Sequence, residues 1–218
     1  MINISQFKSL SPTSCHWIDG AKQPVGSQAK PDKALPDYAK ESFYYANTHQ
    51  KNGGLQIKPA SKGDYEGVYI PYENDKATFS KSIVSGFIAS GGFSGCTFQL
   101  YNDGNGRVVG THIYQGGGQR RDLEYEAAVA GWKLLYTWES NGLMNDPTMT
   151  KSGFVMAIVQ PNVIDVVAVR LTGAGRSEKI LAQHRIADWK NYNGGAYGGS
   201  VGGVTTKPVG RGQRAMSI

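Results

Sequence analysis

Cys96 and His112 are the two residues whose types and spacing could do chemistry together. Cys96 closes the run Ser90-Gly91-Gly92-Phe93-Ser94-Gly95-Cys96, and His112 follows sixteen residues later, beyond the turn Asn102-Asp103-Gly104-Asn105-Gly106. A cysteine attacks as its thiolate, and an imidazole is the side chain suited to take that proton near neutral pH. Such a pair adds to a carbonyl carbon, backbone N–H groups hold the developing oxyanion, and the imidazolium protonates the leaving group. The glycines at 91, 92 and 95 let the main chain approach closely, which makes Ser94 and Gly95 the candidate backbone donors.

Positioning the pair falls to two strands around that turn. A loop centred on Gly104 predicts antiparallel partners whose numbers sum to 208, which sets Cys96 directly opposite His112 with Cβ atoms roughly 4.5–5.5 Å apart. A slip of one residue would send the two side chains to opposite faces. In this register Cys96, Phe98, Leu100, Val108, Gly110, His112 and Tyr114 share one largely apolar face, suited to lie beneath a second layer. Plainer alternatives stand beside this. A free cysteine is commonly a small buried hydrophobe, and a cross-strand histidine is often structural. Cys15 could instead bridge to Cys96, although the Cys15-His16 pair itself points to opposite sides of an extended chain.

The rest of the chain reads as one domain over residues 1–218. Irregular, proline-bearing sequence runs from Ser9 to Asp37, and a glycine-rich stretch with a mobile end covers 193–218. Short strands are predicted at Leu55 to Lys58 and Val68 to Tyr72, and apolar β-branched runs at Gly153 to Gln160 and Val163 to Leu171 read as adjacent buried strands. Helices are predicted over Thr78 to Ser90, over Arg121 to Ser140 with Leu123, Ala127, Ala130, Leu134 and Trp138 on one face, and over Ser177 to Lys190. Trp132 and Trp138 then serve packing, and His49 and His184 are structural or surface residues. The Gly116 to Arg121 run is more readily a flexible connection than a docking loop.

Composition narrows the function. With 29 glycines and nine prolines in 218 residues, sheet is favoured over long helices. The formal charge of +6 comes from 23 basic and 17 acidic residues, the basic ones scattered except at Gln119-Arg120-Arg121 and from Arg211 to Arg214, and the aromatic-basic strands of RNA-binding modules are missing. Two cysteines far apart, without CxxC or HExxH spacing, argue against a structural zinc site. The N-terminus lacks the pattern of a cleavable signal, and no apolar run reaches membrane-spanning length.

Phe93-Ser94-Gly95-Cys96 followed by His112 resembles the signature of bacterial glutamine deamidases: the catalytic domain of cytotoxic necrotizing factors, Burkholderia lethal factor and, more distantly, the chemotaxis deamidase CheD. The similarity to Burkholderia lethal factor runs from His49-Gln50-Lys51-Asn52-Gly53-Gly54 through Val68-Tyr69-Ile70-Pro71-Tyr72 to His112-Ile113, roughly a third of the chain. The resemblance implies an α/β (α+β) fold, a mostly antiparallel sandwich-like sheet with flanking helices. It implies Cys96 as nucleophile and His112 as general base and acid. Ser90 would orient the histidine, since relatives often carry threonine six residues before the cysteine; in necrotizing factors a backbone carbonyl does that work. It further implies a toxin or effector, delivered into host cells without a cleavable signal, that hydrolyses a glutamine side chain of a host protein. No cofactor and no metal are needed, and the partner is that host protein, met by a monomer, rather than nucleic acid or membrane. A protease or transglutaminase could use the same dyad, and a non-enzymatic β-sandwich binding module with an inert Cys96 is the alternative of a different class.

Overall fold

The computed structural model describes residues 39–51, 54–115, 118–140, 152–171, 177–192 and 197–200. The Ser9 to Asp37 region and most of the glycine-rich end lie outside these. The chain is a mostly β protein with a single short helix among the described residues. Its strands are β1 (Ala39–Glu41), β2 (Tyr44–Lys51), β3 (Gly54–Pro59), β4 (Gly67–Ile70), β5 (Ala77–Phe79), β6 (Gly86–Phe93), β7 (Thr97–Asn102), β8 (Val108–Ile113), β9 (Lys133–Glu139), β10 (Ser152–Val159), β11 (Val163–Leu171), β12 (Ser177–Ala187) and β13 (Tyr197–Ser200); helix α1 is Gln119–Val129. A seven-stranded mixed sheet has the order β12-β11-β10-β6-β4-β2-β3. A four-stranded antiparallel sheet, β5-β8-β7-β9, is extended at its edges by β1 and β13, each running parallel to its neighbour.

The expected flanking helices are mostly strands. Thr78 to Ser90 contributes β5 and the first half of β6, because Gly86 and the β-branched residues suit a sheet better than a helix. Arg121 to Ser140 breaks after one helix of eleven residues: Gly131, at φ +78°, turns the chain into β9, and Leu135, Tyr136 and Trp138 are buried as strand residues. Ser177 to Lys190 is chiefly β12, paired along β11. The strands predicted at 55–58, 68–72, 153–160 and 163–171 correspond to β3, β4, β10 and β11.

The main core fills the space between the two sheets. Ile70, Ile88, Val155, Ala157, Val166 and Ala168 come from the seven-stranded sheet, and Phe98, Leu100, Val108 and Trp138 from the other. Helix α1 covers the outer face of the smaller sheet, with Leu123 packed among Ala77, Phe79, Val109, Ile113 and Trp132. Polar ties reinforce it. Arg120 pairs with Glu124 at 2.9 Å and with Glu139, and Gln99 donates to Glu124 at 2.6 Å.

Two glycines set how the sheets meet near Cys96. A Cβ on Gly110 would stand 2.4 Å from Ile88 Cγ2 and 3.1 Å from Ile70 Cδ1, so its absence lets β8 approach β6 and β4. Ile88 is β-branched and its methyl cannot swing clear without a rotamer change. Gly110→Ala is expected to cost about 1–3 kcal/mol by overpacking. Gly63→Ala, where nothing lies within 4 Å, should be near neutral. Urea denaturation of the two variants beside the wild type measures the contrast. The second glycine is Gly92, the extra residue where β6 slips against β10 between Gly153 and Phe154. Its φ of +80° is the left-handed region that favours glycine. Ile88 and Ser90 point into the core in strand alternation, and the bulge then turns Phe93 inward in place of Gly92.

Candidate active site

The strands that end together at one end of the sandwich are β4, β6, β8 and β9, and β7 begins there. The hairpin register differs from the expected one. Phe98, not Cys96, pairs with His112, so partner numbers sum to 210 and the loop centres on Asn105. The loop is held by side chains: Asn102 Oδ1 accepts from the Gly104 N–H at 3.0 Å, and Asp103 Oδ1 from the Asn105 N–H at 2.8 Å. These Asx turns favour a wider loop than the glycine alone suggests. Because the sum changes by two, side-chain parity survives. Cys96, one residue ahead of β7, therefore shares the inner face with His112 but lies diagonal to it.

His112 is held from both sheets. Its Nδ1 lies 2.9 Å from Ser90 Oγ, and Ser90 Oγ lies 2.7 Å from the Ile70 carbonyl oxygen. A carbonyl only accepts, so the one Ser90 proton goes to Ile70 and Ser90 must accept from His112 Nδ1–H. This fixes the tautomer and leaves the lone pair on Nε2. That atom is buried and has no hydrogen-bond partner among the described residues, so no hydrogen bond joins it to the Cys96 sulfur. Phe93 lies flat on the imidazole, with ring centroids 4.0 Å apart and planes at 8°, and meets Trp138 edge-on at 5.3 Å. Ring orientation is thus set by Ser90 at one nitrogen and by Phe93 across the face.

Cys96 is a free thiol, 6% exposed, and His112 is 1% exposed. Burial pushes the thiol up to about 11, although the N–H groups of Ser94 and Gln115 point at the sulfur and offset part of the rise. Burial pushes the imidazole down to about 3. At neutral pH the pair therefore rests as thiol and neutral imidazole, so any attack by the sulfur would have to carry the proton transfer with it.

The turn before Cys96 is held by a residue that the motif does not contain. Ser140, fully buried just after β9, accepts from the Gly95 N–H at 2.9 Å and donates its hydroxyl proton to the Cys96 carbonyl at 2.8 Å. Its own N–H reaches the same carbonyl at 3.1 Å. The Gly95 N–H is thereby occupied. Reading β9 as an alternating strand would have put Trp138 and Ser140 on the inner face beside Cys96, but the helical reading of this stretch hid both.

Tyr72, 40% exposed, covers the site from the loop after β4. Its ring centroid is 5.4 Å from that of His112 and 6.5 Å from that of Tyr114, and its hydroxyl donates to Asn74 Oδ1 at 2.9 Å. Partial burial holds its phenol above the usual range, and the neighbouring Cys96 adds to this. Cys96 and His112 are both buried in this conformation, so the site is closed. A cleft of about 460 Å³ opens instead near the start of β6 and β8, lined by Tyr65, Glu66, Lys81, Ile83, Val84 and Arg107, away from Cys96.

Other residues singled out by sequence lie apart from this centre. His49 is exposed, and His184 stacks on Tyr136 with centroids 5.7 Å apart. Cys15 lies outside the described residues, as do Gly116 and Gly117. Among the described residues no group of three His, Cys, Asp or Glu side chains could hold a metal ion, and no helix is long and apolar enough to cross a membrane. Compared with known proteins, the chain matches no family model, no curated protein and no solved structure.

Proposed function

We propose that the protein is a cysteine-dependent glutamine deamidase, a toxin or effector of the kind typified by Burkholderia lethal factor and the catalytic domain of cytotoxic necrotizing factors, whose fold this sandwich would share. The observation that carries the reading is the cross-sheet hydrogen bond from His112 to Ser90, which leaves Nε2 free to act as a base on the face that Cys96 occupies. A histidine that only filled the core would gain by satisfying both nitrogens. An unpartnered buried nitrogen is what a base waiting for the thiol proton would show.

In this mechanism the Cys96 sulfur bonds to the carboxamide carbon of a host-protein glutamine as Nε2 takes the thiol proton. The imidazolium returns that proton to the departing ammonia, leaving a thioester. Water, deprotonated by Nε2, then adds to the thioester carbon, the C–S bond breaks, and the imidazolium returns the proton to the Cys96 sulfur as the glutamate side chain is released. Tyr72 must swing aside for the side chain to enter. A second reading has its own support: the burial of Cys96 and its raised pKa suit an inert core thiol in a β-sandwich binding module. Mass spectrometry of host-cell proteins exposed to wild type and to Cys96→Ser separates them. The deamidase reading expects at least one glutamine-to-glutamate change that disappears with Cys96→Ser, and a proteome without any such difference favours the binding module.

A further inference from the structure

We propose that Ser140 is the positioning residue that aims the Cys96 N–H into the oxyanion site, an inference that rests on Cys96 acting as an acyl-accepting nucleophile. Three hydrogen bonds from one residue grip the chain on both sides of that N–H. The Gly95 N–H donates to Ser140 Oγ at 2.9 Å, and the Cys96 carbonyl accepts from Ser140 Oγ at 2.8 Å and from Ser140 N–H at 3.1 Å. Donor and acceptor capacities match. The hydroxyl gives its one proton to a carbonyl, which can only accept, and receives the Gly95 N–H on a lone pair.

The clamp selects among the candidate donors. The Gly95 N–H is consumed by Ser140, and the Ser94 and Gln115 N–H groups point at the sulfur. Nothing among the described residues accepts from the Cys96 N–H, and the peptide that carries it is flanked by the two clamped groups. A main-chain donor next to the nucleophile is suited to an oxyanion forming on the attacked carbon, provided it is held in place before the reaction. The Ser140 hydroxyl lies within the protein, engaged with main chain, so its effect on acyl transfer passes through the Cys96 peptide.

Two probes of Cys96 separate this role from a merely structural one. With p-nitrophenyl acetate, the Cys96 sulfur bonds to the acetyl carbon, the thiol proton passes to His112, and p-nitrophenolate leaves with the electron pair; an oxyanion forms on the way. With iodoacetamide, sulfur displaces iodide directly and no oxyanion forms. Ser140→Ala is expected to slow Cys96-dependent acetylation by about 30-fold, below the 10²–10³ for outright loss of a donor, while alkylation changes less than about threefold. Ser140→Thr, which keeps the hydroxyl, should restore most of the loss. Should Ser140→Ala not fold, Ser140→Cys carries the comparison, with weaker, longer bonds and an intermediate effect.

Equal changes in both rates, or none in either, overturn the clamp. A wild type without Cys96-dependent acetylation overturns it together with the nucleophile. Acetylation that follows Ser140 in a protein that converts no glutamine leaves the clamp standing and removes the deamidase reading alone.

Discussion

His112→Gln is expected to slow Cys96-dependent acyl transfer by at least about 10³-fold, the range for removing a general base that also acts as the acid. Glutamine is near in size and can still hydrogen-bond Ser90, so the fold should survive. Ser90→Ala should cost less, about 10–100-fold, as expected for a group that orients a reacting one. In that variant the Ile70 carbonyl loses the hydroxyl it accepts from, and Nδ1–H loses its acceptor. The imidazole could then hold its proton on either nitrogen, and only one tautomer leaves Nε2 able to act as base. Ser90→Thr should recover most of the rate. The measurement is the burst of p-nitrophenolate from wild type and each variant, with Cys96→Ser as baseline. A Ser90→Ala rate within twofold of wild type would assign the orientation of His112 to Phe93 stacking instead.

The shared face of Cys96 and His112 was more legible in the sequence than the architecture that holds them. The Cys96 and His112 pair could be found from a hairpin argument because side-chain parity in a sheet is insensitive to a loop longer by two residues in the sum, although the predicted register was wrong. Facing was preserved, and contact was not: the two side chains lie diagonal, with no hydrogen bond between them. The contact of Ser90 with His112 was expected only through the resemblance, since nothing local shows it and its polarity depends on the Ile70 carbonyl, twenty residues away on a neighbouring strand. Phe93 stood in the quoted motif without a role because strand alternation puts Gly92 inward; the bulge that reverses this is a tertiary event at the pairing with β10. The helix predicted over Arg121 to Ser140 holds to Val129 and fails beyond it, because Leu134 and Trp138 extend the three- and four-residue spacing of Leu123, Ala127 and Ala130 by coincidence. Burial between sheets then overrode a weak local preference.

The closed site also bears on activation. Both members of the pair are neutral at rest because each pays a desolvation cost as an ion, and the imidazolium would have no acceptor for its second N–H among the described residues. Opening of Tyr72 would admit water and substrate together, lowering that cost just when the proton must move. On the deamidase reading, reactivity would thereby be coupled to occupancy, and an exposed thiolate would not persist between encounters.

A neutral buried imidazole predicts a specific loss of stability in acid. The unfolded chain binds a proton at His112 as pH falls below about 6.5, whereas the folded protein resists until about 3. The contribution is fully present above about 6.5 and is lost as pH falls through that window, by close to tenfold in the folding equilibrium per pH unit. Cys96 acts at the other end. Its folded pKa is raised from 9.0 to about 11, so the unfolded chain releases a proton first and stability falls between those values. Chemical denaturation of wild type and His112→Gln from pH 7 to pH 4 isolates the histidine, because every other titrating group is common to both. The difference in unfolding free energy should shift against the wild type by roughly 1 kcal/mol or more for each unit of pH. A difference that stays constant across this range would mean that folded and unfolded chains bind the His112 proton alike, and one that moves in favour of the wild type as pH falls from 7 would mean that His112 is already charged in the folded protein.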